Sequence, residues 1–224
     1  MSHFCVAVAT KTKSEEEINK LLKPYWEELK VEPYIDEDGE ETTYNPDSKW
    51  DWYCIGGRYN NIIVVDKDNE DVFEKSGLGL GMDLSNDVKG NPSFKRVNGA
   101  KIKDIHFDLM GGNYDEALRE WELIVEKKEP QNEEEKEIVK WNFYTPSYYV
   151  EQYGTKEEYA KQMSMFTTWA FVNEEGWAEQ GEVGFWAMHN ATKDSRVIFT
   201  EKLNEYIKSP EHQEEYLFIV DCHI

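Results

Sequence analysis

The chain of 224 residues is 39% hydrophobic and 14% aromatic, so it is long and apolar enough to fold around its own core. Its 46 acidic residues outnumber 25 Lys and Arg, and the formal charge of -21 argues against general binding to nucleic acid or to an anionic membrane. Cys5, Cys54 and Cys222 are too irregularly spaced for a disulfide framework or a cysteine-rich zinc module, which fits reduced thiols. No apolar run approaches the length of a membrane span, about 20 residues, so we expect a cytoplasmic protein.

A β-α unit is predicted over residues 1–30. Residues 4–9 form a short, largely apolar run typical of a buried strand, and Ser14 with Glu17 predicts a capping box that opens a helix. Apolar side chains recur at helical spacing from Ile18 to Leu29, so one face of that helix should pack on the core. Pro24 should kink or split the helix.

The segment of residues 45–59 combines aromatic side chains, a glycine pair and one arginine beside an Asn-Pro turn. Aromatic faces, a backbone free of Cβ atoms and a guanidinium together suit a flat anionic ligand such as a nucleotide. The predicted ligand-binding residues are Trp50, Trp52, Tyr53, Gly56, Gly57 and Arg58. The alternative is a structural corner, in which the aromatics fill a seam in the fold and Arg58 pairs with a carboxylate.

Residues 31–160 differ in sequence pattern from both ends of the chain and are predicted to form a long α/β insertion. A strand is expected at residues 62–65, and helices are expected to begin at Asn113, at Thr145 and at Thr155. The glycine-rich tract of residues 77–81 resembles a phosphate loop but lacks the Lys-Ser or Lys-Thr that would complete one. Acidic runs at residues 15–17, 37–41 and 133–137 are typical of solvated faces and loops.

Residues 161–224 predict a hairpin, a helix and a closing strand. The hairpin strands are expected at residues 165–172 and 177–186, and the last strand at residues 216–222. The helix should be capped by Asp194 or Ser195 and end at Ser209-Pro210. With residues 1–30 the order becomes β-α-β-β-α-β, which predicts an α+β fold with a ferredoxin-like split β-α-β core on an antiparallel sheet. We expect a single domain, residues 1–224, with residues 31–160 inserted into a core of residues 1–30 and 161–224.

The same topology makes the first and last strands antiparallel neighbours, so His3 should lie close to Asp221, Cys222 or His223. Strict alternation places Asp221 and His223 on one face of the sheet and Cys222 on the other. His3, Asp221 and His223 are therefore candidate catalytic residues, as general acid and base groups or as ligands of a divalent metal. The alternative is that these polar side chains simply reach solvent at the ends of strands.

Several segments resemble a widespread family of uncharacterised bacteriophage proteins. They are the opening Met1-Ser2-His3-Phe4, the block Lys49-Trp50-Asp51-Trp52-Tyr53 with Ile55-Gly56-Gly57-Arg58, residues 177–186 with Gly181, Gly184 and Phe185, and the closing Val220-Asp221-Cys222-His223-Ile224. Members of this family usually carry Trp where this chain has Tyr59, a change that keeps an aromatic face and loses an indole N–H. The resemblance implies a phage or prophage gene expressed in a bacterial cytoplasm, and accessory phage genes of this size often counter host defence.

Three functional hypotheses follow. In the first, the protein is a phage-type anti-defence protein that binds a nucleotide-derived small molecule through the Trp-rich segment, and in one version hydrolyses it with the terminal residues. In the second, its acidic surface mimics nucleic acid and blocks a basic host protein. The third is a phage accessory role unrelated to defence. Both an enzyme and a binding protein fit these patterns, with or without a divalent metal.

Overall fold

The structure, a computed structural model, describes residues 2–75, 88, 91–183 and 189–224. The strands of this part of the chain are β1 (His3–Thr10), β2 (Tyr34–Ile35), β3 (Glu41–Thr42), β4 (Trp52–Ile55), β5 (Ile63–Asp66), β6 (Val72–Phe73), β7 (Phe94–Val97), β8 (Gly99–Lys101), β9 (Ala170–Asn173), β10 (Gly176–Glu179) and β11 (Tyr216–His223). The α-helices are α1 (Glu15–Leu22), α2 (Tyr114–Ile124), α3 (Glu133–Trp141), α4 (Pro146–Tyr153), α5 (Lys156–Ser164) and α6 (Lys193–Lys208).

The main sheet is mixed and centres on β1 and β11. Its strand order in the described chain is β10-β9-β1-β11-β8-β6, and β4 pairs with β11 as well. β1 and β11 are antiparallel along their full length, with His3 opposite His223 and Thr10 opposite Tyr216. The other edge of β11 is shared, because β8 pairs with its beginning and β4 with its end. The two ends of the chain are thus adjacent, as predicted.

The α+β class is confirmed, and the order β1-α1 followed by β9-β10-α6-β11 is the predicted one. The sheet differs from the predicted split, antiparallel arrangement, which would place β10 beside β1. Instead β9 runs parallel to β1, with Val6 opposite Ala170 and Val8 opposite Val172, and β10 lies at the edge. Burial explains the order, because every residue of β9 is buried whereas β10 is partly exposed, and a parallel interior strand must be covered on both faces.

Helix α1 begins near the predicted position but ends at Leu22, so the helical face predicted as far as Leu29 is not formed beyond Pro24. Ser14 caps it by accepting a hydrogen bond from the Glu16 amide. The Glu17 carboxylate accepts from amides of the preceding loop, so the predicted reciprocal capping box is not formed. The α-helix ends at Leu22 and a single 3-10 turn containing Pro24 follows, as the missing proline N–H requires.

At the C-terminal end, β9 begins at Ala170, later than predicted, and the cap of α6 is Thr192. Ser195, one of the two predicted caps, forms the second half of the capping box with Thr192. The helix stops before Ser209-Pro210 as predicted. Strand β10 ends at Glu179, short of the return strand predicted for residues 177–186, of which residues 184–186 lie outside the described residues.

The middle of the chain contributes strands to the main sheet and a separate group of helices. Asn113, Thr145 and Thr155 cap α2, α4 and α5, which confirms the predicted helix starts. The acidic run of residues 133–137 begins a helix that was not predicted, α3. The predicted strand of residues 62–65 is β5, whereas the glycine tract of residues 77–81 lies outside the described residues.

The main sheet buries apolar side chains on both faces, because alternate residues of β1 and β11 point in opposite directions. The face towards α6 carries Cys5, Ala7, Ala9, Leu217 and Ile219, which pack with Phe199, Leu203 and Ile207. The face towards α1 carries Val6, Val8, Phe218 and Val220, which pack with Ile18 and Leu22. A third cluster around Trp121 joins α2, α4 and α5. No helix in the described ranges combines the length and apolarity needed to cross a bilayer.

Candidate functional site

Three neighbouring strands bring two histidines and a tryptophan together at one end of the main sheet. His3 on β1 is opposite His223 on β11, and His223 is opposite Trp52 on β4. All three side chains lie on the α6 side of the sheet, since Cys5 and Ala7 continue that face along β1. Backbone register therefore forms this cluster from residues that are far apart in sequence.

The three rings pack directly against one another. The imidazoles of His3 and His223 meet edge to face, with centroids 4.9 Å apart. The indole of Trp52 stacks on His223 at 5.1 Å with an interplanar angle of 15° and meets His3 edge-on at 5.2 Å. His223 is 5% exposed and Trp52 is 43% exposed, so the indole covers the imidazoles and presents its own outer surface to solvent. His223 does not simply reach solvent from a strand end.

Each imidazole is oriented by its own carboxylate. His3 Nδ1 lies 2.9 Å from Asp221 Oδ1, and His223 Nδ1 lies 2.7 Å from Asp51 Oδ1. Because a carboxylate accepts hydrogen bonds, this arrangement favours a proton on each Nδ1. The Nε2 atom of His223 is buried and has no hydrogen-bond partner among the described residues. Two histidine–carboxylate pairs in contact are a suitable arrangement for proton transfer.

The glycine pair of the Trp-rich segment closes a turn onto Asp221, which is 1% exposed. Gly57 has a φ of 56°, and a Cβ there would lie 2.5 Å from Asp221 and 2.6 Å from Cys54 Sγ. This close approach allows the Arg58 amide to donate to Asp221 Oδ2 at 2.9 Å. The second oxygen of the carboxylate that orients His3 is therefore held by the backbone of the predicted ligand segment.

The side chains that follow Gly57 have separate roles. The Arg58 guanidinium is exposed, and no ion pair joins it to another described residue. The Tyr59 hydroxyl donates to the His3 carbonyl oxygen at 3.2 Å. Burial, with a smaller effect of the nearby Cys5, raises the pKa of Tyr59, so its phenol is a neutral donor at physiological pH. Arg58 is thus an exposed cation with no ion pair among the described residues, and its backbone amide contacts Asp221.

The predicted aromatic residues lie on two faces of the sheet, because alternation along β4 separates Trp52 from Tyr53 and the chain bends at residue 51, between Trp50 and β4. Trp52 lies with the histidines, whereas Trp50 is 6% exposed in the core on the α1 side and donates through Nε1 to the Leu22 carbonyl oxygen at 3.1 Å. Tyr53 packs edge-on against Trp50, with centroids 5.1 Å apart. Trp50 and Tyr53 therefore belong to the core seam of the structural alternative, and Trp52 and Arg58 to the exposed cluster.

The cysteines next to the cluster are not activated as nucleophiles. Cys5 and Cys54 lie opposite Asp221 on the two flanking strands. Burial raises the pKa of Cys5 and of Cys54, and the charge of Asp221 raises both further. Neither thiol is thus set up as a nucleophile. In the described ranges no group of three or more His, Cys, Asp and Glu side chains is arranged to hold a metal ion.

Sequence reasoning brought His3, Asp221 and His223 together correctly but missed Asp51 and the pairing of β4 with β11. Alternation along residues 52–55 could have shown that Trp52 and Tyr53 lie on different faces, but it identifies neither Asp51 nor the partner strand of β4. In comparisons with known proteins, no family model, curated protein or solved structure matches the chain.

Proposed function

We propose that this protein binds a nucleotide-derived small molecule over Trp52, with the base stacked on the indole and the phosphate at Arg58. The observation that carries the proposal is a half-exposed indole that is packed from behind by His223. In the same segment, the Arg58 guanidinium is exposed and has no ion pair among the described residues. Bases stack on aromatic faces and phosphates bind guanidinium groups, so one ligand can satisfy both.

The spacing of the two groups suits a nucleotide. The Arg58 amide touches Asp221, and Trp52 stacks on His223, which follows Asp221 by two residues on the same strand. Two residues of a β-strand span about 7 Å, so the indole and the start of the Arg58 side chain are separated by roughly that distance. A base and its phosphate can bridge such a gap without a deep cavity.

Hydrolysis of the bound molecule is the further step that we propose for the two histidines. A carboxylate fixes the Nδ1 side of each ring, which leaves Nε2 as the atom that could exchange a proton with a ligand or water. Nε2 of His223 is buried, so the side chains around it would have to move for His223 to take part. Binding does not depend on this step.

The biological role that we propose is that of a phage accessory protein that counters host defence by capturing a nucleotide signal. It is supported by the resemblance of the Trp-rich block and the closing Val220-Asp221-Cys222-His223-Ile224 to bacteriophage proteins. A different role, the capture of a basic host protein, is favoured by α3, which exposes Glu133, Glu134 and Glu137 and ends at Trp141. Trp141 and the nearby Phe143 are 61% and 83% exposed.

A thermal-shift screen with mononucleotides, cyclic and linear dinucleotides and ADP-ribose derivatives tests the binding proposal, because ligands of the native state raise Tm. Stacking contributes about 1–3 kcal/mol per base, so Trp52→Ala should weaken the Kd of a hit about tenfold or more. Arg58→Ala should weaken it as well. Trp141→Ala, which removes another exposed indole, is the matched control and should leave the Kd unchanged. A panel without any hit, or equal losses in Trp52→Ala and Trp141→Ala, would refute the proposal.

A further inference from the structure

A cavity of about 590 Å³ lies between the β9–β10 hairpin and α6. Its volume is within the range of small-molecule sites, about 300–1,000 Å³. It lies on the α6 side of the sheet, and none of the residues of the histidine cluster lines it. Its occupant must therefore be inferred from its own lining.

The inner surface of the cavity is apolar. Phe171, Ala178, Phe199 and Leu203 line it, and Phe171, Phe199 and Leu203 are buried in the core. Tyr206 meets Phe171 edge to face at 4.8 Å between centroids. The apolar side chains of this floor offer no hydrogen-bonding groups, so they suit the hydrocarbon part of a ligand better than a polar or charged group.

One wall of the cavity is a fixed stack of two rings. Tyr206 and His212 lie 3.7 Å apart between centroids, with an interplanar angle of 10°. Glu215 holds both, since it accepts a hydrogen bond from the Tyr206 hydroxyl and lies 3.2 Å from His212 Nδ1. Contacts within the protein therefore hold this wall in place, so it needs no ligand to form.

The rim of the cavity is acidic. Glu175, Glu205 and Glu211 line it with a single Lys or Arg side chain, that of Lys202. Neither Glu175 nor Glu205 forms an ion pair with another residue that the structure describes. The formal charge of -21 adds a long-range attraction for cations. An apolar floor below unpaired carboxylates complements a ligand with a hydrocarbon chain and cationic ends.

We propose that this cavity binds a small aliphatic amine, a diamine or polyamine, with its methylene chain on the Phe171 and Leu203 floor and its ammonium groups at the Glu175 and Glu205 carboxylates. The field of an acidic protein attracts any cation, so a test must separate this cavity from the general charge. Helix α6 offers matched controls, because Glu201 and Lys208 are exposed on the same helix and do not line the cavity.

Isothermal titration calorimetry with 1,5-diaminopentane, and with 1,5-pentanediol as its neutral analogue, tests the proposal at fixed salt. We expect saturable one-site binding of the diamine and none of the diol. Losing one partly exposed ion pair corresponds to a Kd change of about fivefold. Glu205→Gln should thus weaken binding about fivefold, and Lys202→Gln should tighten it by a similar factor.

The control variants Glu201→Gln and Lys208→Gln make the same changes in net charge and should shift Kd by less than about twofold. Ala178→Leu adds a branched apolar side chain to the lining without changing charge and should weaken binding while the thermal unfolding transition is retained. Equal effects of Glu205→Gln and Glu201→Gln would show binding to the general field alone. That result, binding of the diol, or no saturable heat with the diamine would overturn the proposal.

Discussion

Replacing Gly57 by alanine should destabilise the protein far more than the same change at Gly39. Both glycines have positive φ, 56° and 84°, which costs an L-residue about 1–2 kcal/mol. A Cβ at Gly39 meets nothing within 4 Å, whereas at Gly57 it would lie 2.5 Å from Asp221 and 2.6 Å from Cys54 Sγ. Overpacking of this kind adds about 1–3 kcal/mol.

Displacing the turn would also break the hydrogen bond from the Arg58 amide to the buried Asp221 carboxylate, which adds about 1–3 kcal/mol. Gly57→Ala should therefore lower the free energy of unfolding by at least about 3 kcal/mol, against about 1–2 kcal/mol for Gly39→Ala. Urea unfolding followed by tryptophan fluorescence measures both values. Equal losses in the two variants would refute the argument that this turn closes on Asp221.

Three further predictions concern separate parts of the fold. Trp50→Ala should cost about 3–5 kcal/mol in urea unfolding because Trp50 is buried, whereas Trp52→Ala should cost well under half of that. The Tyr216 hydroxyl and then Lys13 lower the pKa of Asp71 to about 2, so its contribution to stability is complete above about pH 4 and lost as pH falls towards 2. The stability difference between wild type and Asp71→Asn should shrink over that range, and a constant difference would contradict the assignment. Burial raises the pKa of the Cys222 thiol, so Ellman's reagent should react with it only after unfolding, and rapid labelling of Cys222 in the native protein would be inconsistent with its position.

Local signals in the sequence predicted most of the helix starts. Caps at Asn113, Thr145 and Thr155 and the break at Pro24 depend on residues close in sequence, so they could be read directly. The adjacency of β1 and β11 followed from the order of elements. Short-range rules thus located most of the helix starts, and the order of elements located the contact between the chain ends.

The strand order could not be read in the same way, because pairing depends on which strand buries more surface. Both β9 and β10 fit a hairpin, and only the complete burial of β9 places it beside β1. The site was likewise predicted in part. Composition groups Trp50 with Trp52, but Trp50 precedes β4 and lies in the core on the α1 side, whereas Trp52 pairs with His223 on β11. Asp51 gained its role only through that long-range pairing.

Stacking of a nucleotide on Trp52 can be tested directly by NMR. The chain carries 8 tryptophans, and their indole N–H signals can be followed separately. The protein labelled with nitrogen-15 at tryptophan would be titrated with the nucleotide panel, and the signals would be assigned by Trp52→Phe and Trp141→Phe. If a nucleotide stacks on Trp52, at least one member of the panel should shift the Trp52 signal in a saturable way and leave the Trp141 signal unchanged. A Trp52 signal unmoved by every nucleotide, or a shift at Trp141 instead, would contradict it.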